Sequence, residues 1–239
     1  MVFAVTRAPL KRWLMPVMAI MMVFQLAACG DKEADQRKAF IDYLQNTVMR
    51  GSSKVPTLSE DQKQKLGKYT GDYAILVTFS QNFSRATDSS LTPLNNTISQ
   101  IRVPQDYLLK RDELRQASGA LNMLGQQVQS ARAQADSAKA ALKQPDDLRV
   151  VYDKAYAKVV SDPANAIGPM IPMAASLAQD LLQVGDFLQY VGPQARFENS
   201  GIQLQTQQQV AQYNQMMSNV AAKHQELLAA QSRSAAVLN

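Results

Sequence analysis

The sequence predicts an all-α protein, an elongated antiparallel helical bundle built around one long heptad-patterned helix, with a small β-hairpin near residues 195–204. Three observations carry this. From Arg111 to Lys143, apolar or small residues return at alternating spacings of three and four, at Leu114, Ala117, Leu121, Leu124, Val128, Ala131, Ala135, Ala138 and Leu142. That is a seam on one long helix, and a single helix cannot bury such a stripe alone. The stretches on either side show the same helical period between Gly and Pro punctuation, whereas the only strand signal lies around Asn199-Ser200-Gly201.

The chain of 239 residues begins with Arg7, Lys11 and Arg12, followed by an apolar run from Trp13 to Ala28. A basic start, a short apolar run and small residues before a cut site make a secretory signal peptide, so residues 1–28 are expected to be removed. The run is interrupted by Pro16 and Gln25 and falls short of the ~20 residues a membrane-spanning helix needs. Leu26-Ala27-Ala28-Cys29 resembles the lipobox of bacterial lipoproteins, in which the cysteine thiol receives a diacylglycerol group and becomes the new N-terminus. Two acyl chains anchor stably, at about 0.8 kcal/mol per buried CH₂. In the sorting rule that this resemblance implies, Asp directly after the cysteine favours the inner membrane. Here Gly30 stands there and Asp31 follows, which points to the periplasmic leaflet of the outer membrane. Residues 29–239 are then expected to form one periplasm-facing helical domain, held at the membrane by a lipidated Cys29.

Composition narrows the function classes. Cys29 is the only cysteine, so no disulfide can close within one chain, and acylation removes the thiol from catalysis. The first 28 residues take three of the 25 basic residues and none of the 20 acidic ones, leaving +2 on the remainder. A charge this small argues against nucleic acid or a polybasic lipid contact.

The helical segments follow in order. Asp31 to Asp35 make an acidic helix start that suits the dipole. Phe40, Ile41, Leu44 and Val48 supply the apolar face, and Glu33 and Arg37 are spaced for an i,i+4 pair. Gly51 ends this helix. Ser59-Glu60-Asp61-Gln62 has capping-box form, and Leu66, Tyr69, Tyr73, Leu76, Phe79 and Phe83 continue at helical spacing to about Thr87. Gly67 and Gly71, four apart, read as a notch on that helix. The aromatic residues suit a core or the wall of a ligand pocket. Pro93 suits the first turn of a separate short helix carrying Leu94, Ile98 and Ile101, which Arg102-Val103-Pro104 breaks. The long helix begins between Asp106 and Asp112. Gly119 and Gly125 lie inside it as possible crossing points, and Pro145 stops it. Asp146 and Asp147 open the next helix, whose face is Leu148, Val151, Tyr152, Ala155 and Val159. As neighbours they point about 100° apart, which suits a dipole role better than a catalytic pair.

Asp162-Pro163 to Gly168-Pro169 reads as a loop. Pro172 opens an apolar helix with Leu177, Leu181, Val184 and Leu188, ended by Gly192-Pro193. Ala195-Arg196-Phe197 and Ile202-Gln203-Leu204 form the hairpin. Thr206 to Gln209 is a second capping box. Val210, Tyr213, Met217, Val220, His224 and Leu227 make the last seam, with glutamines on the other face. His224 is the only histidine, so no metal pair can be completed by a second one.

Several patches identify a family resemblance: Asp31-Lys32-Glu33 with Asp35 to Asp42, Gln45 to Arg50, Asp72 to Leu76, Ile101 to Tyr107, Ala141 to Gln144, and Gly201-Ile202-Gln203. On these the chain resembles the YiaF-like enterobacterial lipoproteins, whose shared region is a domain of unknown function. The resemblance implies an outer-membrane or periplasm-facing lipoprotein. It carries a phenotypic link, in some members' names, to resistance against co-colonisation, and brings no catalytic residues. No Gly-rich phosphate loop, Cys/His cluster or Ser/His/Asp pattern is present. The expected protein is therefore not an enzyme, takes no cofactor or metal, and is a monomeric lipid-anchored module that binds an envelope protein. The alternative is a carrier or sensor of a small apolar ligand or lipid, held between helices near Tyr69 to Phe83 and Ile171 to Leu188.

Overall fold

The computed structural model describes residues 32–198 and 201–238; the expected signal segment, the lipobox, Cys29, Gly30 and Asp31 lie outside them. The architecture is mostly α with one two-stranded antiparallel sheet, in agreement with the sequence. Helix α1 covers residues 32–43 and runs into a π-helical turn, Leu44–Val48. There follow α2 (Glu60–Leu66), a 3₁₀ turn (Gly67–Tyr69), α3 (Thr70–Gln100), α4 (Asp106–Leu109) and α5 (Arg111–Ala140). Then come α6 (Asp146–Tyr156), a π-helical turn (Ala157–Ser161), α7 (Asp162–Ile167) and α8 (Met170–Val191). The chain ends with β1 (Ala195–Glu198), β2 (Gly201–Leu204) and α9 (Gln207–Leu238).

Helices α3 and α5 form an antiparallel spine, each about 45 Å long at 1.5 Å rise per residue. The start of α3 meets the chain just past the end of α5, where the Gln144 amide donates to Asp72 Oδ2 at 2.6 Å. The seam on α5 falls as its spacing predicts: Leu114, Leu121 and Leu124 have no exposure, and Ala117, Val128 and Ala135 are buried. Ala131, Ala138 and Leu142 lie half-buried at the edge.

Two groups of elements cover the two halves of the spine. One half is covered by α1, α2 and α6. There Phe40 stacks on Tyr69 with ring centroids 5.7 Å apart and meets Tyr73 edge-on at 6.5 Å. Tyr152 is fully buried and donates to the Asp72 carbonyl at 2.8 Å. The other half is covered by α4 and α8, with α9 and the hairpin laid outside α8. Helix α8 runs antiparallel to α5, with Gly125 near Ile171 at one end and Arg111 paired to Asp186 at 2.8 Å at the other. Helix α9 runs back along α8, since Tyr213 meets Phe187, Lys223 meets Asp180 and Ser234 meets Met170.

The hairpin register pairs Ala195 with Leu204 and Phe197 with Ile202, and these four side chains form the half-buried face laid on the helices. Both capping boxes form. Gln62 N–H donates to Ser59 Oγ at 3.2 Å while Ser59 N–H donates to Gln62 Oε1 at 2.8 Å. Thr206 and Gln209 repeat the exchange before α9.

The structure corrects several expectations. Pro93 does not open a separate helix; it sits inside α3, which continues to Gln100. Packing of Leu94 and Thr97, both buried, holds the helix through the missing amide. Residues 162–167 are helical, not a loop: α6, the π-helical turn and α7 run on without a break, and Pro163 is accommodated directly after the π-helical turn. Gly67 and Gly71 do not share a helix. Gly67 caps α2 at φ +52°, and a Cβ there would overlap the Gln36 side chain at 2.1 Å, whereas nothing lies within 4 Å of one at Gly71. His224 is exposed, not on the seam; Lys223 takes the inward position between Val220 and Leu227.

Candidate functional site

The part of the described chain closest in sequence to the expected anchor is α1, which is fastened to the rest of the fold by several contacts. Residue 32 is already helical, three positions after Cys29 in sequence. The predicted i,i+4 pair between Glu33 and Arg37 is replaced by two long-range pairs. Glu33 accepts from Lys68 Nζ at 2.5 Å and Arg37 meets Asp147 at 3.3 Å. Hydrogen bonding to Glu33 holds the Lys68 ammonium above the ordinary lysine value, against the opposing effect of desolvation. Lys68 also lies over the Tyr69 ring at 5.1 Å. Between these contacts Gln36 enters the space that the absent Gly67 side chain leaves. Phe40 and Leu44, with no exposure, complete the attachment. Exposed ion pairs of this kind contribute little each, so the buried apolar pair dominates and the charged contacts set orientation.

A second candidate is the open groove between α3 and α5. Its central section has a volume of about 580 Å³, with Asn82, Arg85, Gln127, Ser130 and Gln134 on its walls and Ala86 and Ala131 on its floor. Amides and hydroxyls prevail and no acid lines this section. Such a surface combines hydrogen-bonding side chains with an apolar lining that is the larger part of its area.

The other residues singled out from sequence are dispersed. Asp146 pairs with Arg149 at 2.8 Å, one turn along its own helix, while Asp147 pairs with Arg37; the two carboxylates serve different partners. Tyr69, Tyr73 and Phe79 are buried in side-chain packing. Burial drives the hydroxyls of Tyr73 and Tyr152 far above the normal tyrosine range, and burial with the Asp136 carboxylate does the same for Tyr156, whose hydroxyl donates to Asp136 at 2.5 Å. Among the described residues, no group of three or more His, Cys, Asp and Glu side chains is placed to hold a metal ion, and no helix is long and apolar enough to cross a membrane.

Sequence reasoning missed three connections. The Asp180–Lys223 pair joins α8 to α9 at 2.8 Å, with the Asp180 side chain only 12% exposed; a lone acid on the apolar face after Leu177 was its signal. Gly185 lets α8 approach α4, since a Cβ there would lie 2.8 Å from the Tyr107 carbonyl oxygen. Ser80 is buried on α3 and ties down the 52–58 loop, donating to the Ser53 carbonyl at 3.2 Å and accepting from Val55 N–H at 3.4 Å. Neither of the last two had a local sequence signal.

These features define an all-helical protein with a small hairpin, whose folded body starts within a few residues of the expected lipidation point. The chain belongs to the family described as "Protein of unknown function (DUF3053)", whose model matches residues 17–235. It is 49% identical over 215 residues to "Uncharacterized protein YiaF" of Escherichia coli (strain K12), covering 90% of this chain and 91% of that relative. Proteins of the same name from Escherichia coli O157:H7 and Shigella flexneri match to the same extent. No solved structure matches the chain.

Proposed function

We propose that the protein is a lipid-anchored lipoprotein of the cell envelope, acting as a non-catalytic module that binds another envelope protein. The observation that carries this reading is the junction of sequence and fold. A lipobox ends at Cys29, and residue 32, three positions on, is already helical and part of α1, which is fastened to the 3₁₀ turn at Lys68 and to α6. A diacylglyceryl group on Cys29 therefore holds the bundle close to the membrane with little freedom to pivot, whereas a lipoprotein with a long tether roams. Gly30 after the cysteine supports the outer membrane as the destination. The open groove of α3 and α5 then faces the periplasm, where a protein partner suits a surface that mixes hydrogen-bonding side chains with apolar lining.

Metabolic labelling with an alkyne fatty acid and membrane fractionation test the anchor. The wild type is expected to take up label and sediment with outer membranes, and Cys29→Ser to lose both. Crosslinking with mass spectrometry on intact cells at native expression then tests the module. A discrete envelope protein captured by the wild type and lost in Cys29→Ser supports it. Unlabelled wild type overturns the anchor, and turnover of a substrate that depends on one side chain overturns the non-catalytic reading.

A further inference from the structure

Among the long helices, α9 is the least enclosed. The α5 seam is closed to solvent at Leu114, Leu121 and Leu124, and α8 is buried at ten positions from Ala174 through Leu181 and Val184 to Val191, with one exposed stripe through Gln183 and Tyr190. On α9 the seam positions Val210, Tyr213, Met217 and Val220 are only half-buried, and full burial is reached at Leu227 and Ala230 alone among its described side chains. Its packing partners are α8, α7 and β2. Three fastenings are spaced along its length. The Tyr213 ring stacks on Phe187 at 6.4 Å, Lys223 Nζ lies 2.8 Å from Asp180 Oδ2, and Ser234 Oγ donates to the Ala166 carbonyl at 3.3 Å.

Resistance to local opening follows the enclosed apolar contact of an element, so an outer helix held by few buried side chains opens below the free energy of global unfolding. The middle fastening gives that opening a defined character. The Asp180 side chain is largely enclosed, and Lys223 is its partner. A carboxylate left in that slot without Lys223 would be buried and unpaired, which is strongly unfavourable, while a carboxylate uncovered by departure of α9 is hydrated. The pair therefore permits two arrangements, closed with Lys223 in register or open with Asp180 in water, and penalises the partly slipped ones between them.

We infer that α9 is a latch, opening from α8 as one unit while α3, α5 and α8 stay folded, and uncovering the flank of α8 that carries Met170, Asp180 and Phe187. Removal of Lys223 destabilises only the closed arrangement and so raises the open population.

The test is native-state hydrogen exchange read by mass spectrometry on the full chain in detergent. In the wild type, amides of α9 between Tyr213 and Leu227 are expected to exchange at least ~10-fold faster than buried amides of α5 and α8, as one cooperative group. Lys223→Gln is expected to speed α9 by about a further 10-fold and leave α5 unchanged, and the reversal Asp180→Lys with Lys223→Asp to return α9 toward the wild-type rate. If α9 in the wild type exchanges no faster than α5, the latch is overturned without recourse to any variant. Equal acceleration of α5 and α9 in Lys223→Gln overturns it as well, because the pair would then support the whole fold.

Discussion

At Gly185, α8 runs against the backbone of α4, and the missing side chain is what allows the contact: an added Cβ would meet the Tyr107 carbonyl oxygen at 2.8 Å and the Arg111 side chain at 3.4 Å. A backbone atom cannot turn aside as a flexible side chain can. Gly185→Ala is therefore expected to destabilise by about 1–3 kcal/mol, the usual cost of overpacking, read as a lower urea midpoint with unchanged slope. Gly71→Ala is the matched control. Nothing lies within 4 Å of its Cβ, so helix propensity prevails and stability rises by up to ~1 kcal/mol. The two glycines show where residue-level reading stops. Spacing alone singled out Gly71, which has no neighbour, and passed over Gly185, whose role is set by a helix some 80 residues away in sequence. The same holds for His224 and Lys223. One step of helix rotation, about 100°, decides which of them faces α8, and a seam read at strict three-four spacing has already drifted about 40° after two heptads.

Helices were legible where apolar period and caps agreed. The α5 seam, the Ser59 and Thr206 capping boxes and the presence of the hairpin all follow from local chemistry. Proline misled in both directions. Pro93 and Pro163 read as boundaries, yet Pro163 lies in the first turn of α7 and Pro93 is spanned by α3. The second case is tertiary override. Leu94, at 2% exposure, and Thr97, at 5%, are buried beyond the proline, and that burial outweighs an interior proline's penalty of ~3 kcal/mol. Pro93→Ala is therefore expected to stabilise the protein by about 1–3 kcal/mol, less than the full penalty because the unfolded chain also regains freedom. At about 2–4 °C per kcal/mol for a chain of this size, the rise is measurable by circular dichroism. A fall in Tm would mean that the ring itself is packed to advantage.

The whole molecule is an uneven arrangement of stabilities along one spine, with the aromatic half distinguished by its tyrosines. Phe40, Tyr43, Tyr69, Tyr73, Tyr152 and Tyr156 are joined by ring contacts across α1, the 3₁₀ turn before α3, α3 and α6, so residues distant in sequence depend on one cluster. That convergence was not legible beforehand, because the period of each helix shows which residues turn inward but not which inward faces meet. The cluster sets the response to alkali. Burial raises the Tyr73, Tyr152 and Tyr156 hydroxyls above the ordinary 10.0, so the folded protein keeps these protons when the unfolded chain has begun to lose them. Such groups contribute their full stability below pH 10 and lose it as pH rises from there toward their folded values. Unfolding in alkali is accordingly expected to coincide with abrupt tyrosinate absorbance in place of a gradual titration. Tyr152→Phe removes the hydrogen bond to the Asp72 carbonyl, costs about 1 kcal/mol near neutrality, and lessens the loss above pH 10. Smooth tyrosinate formation with helicity intact would show that the cluster is open to hydroxide, contrary to its burial.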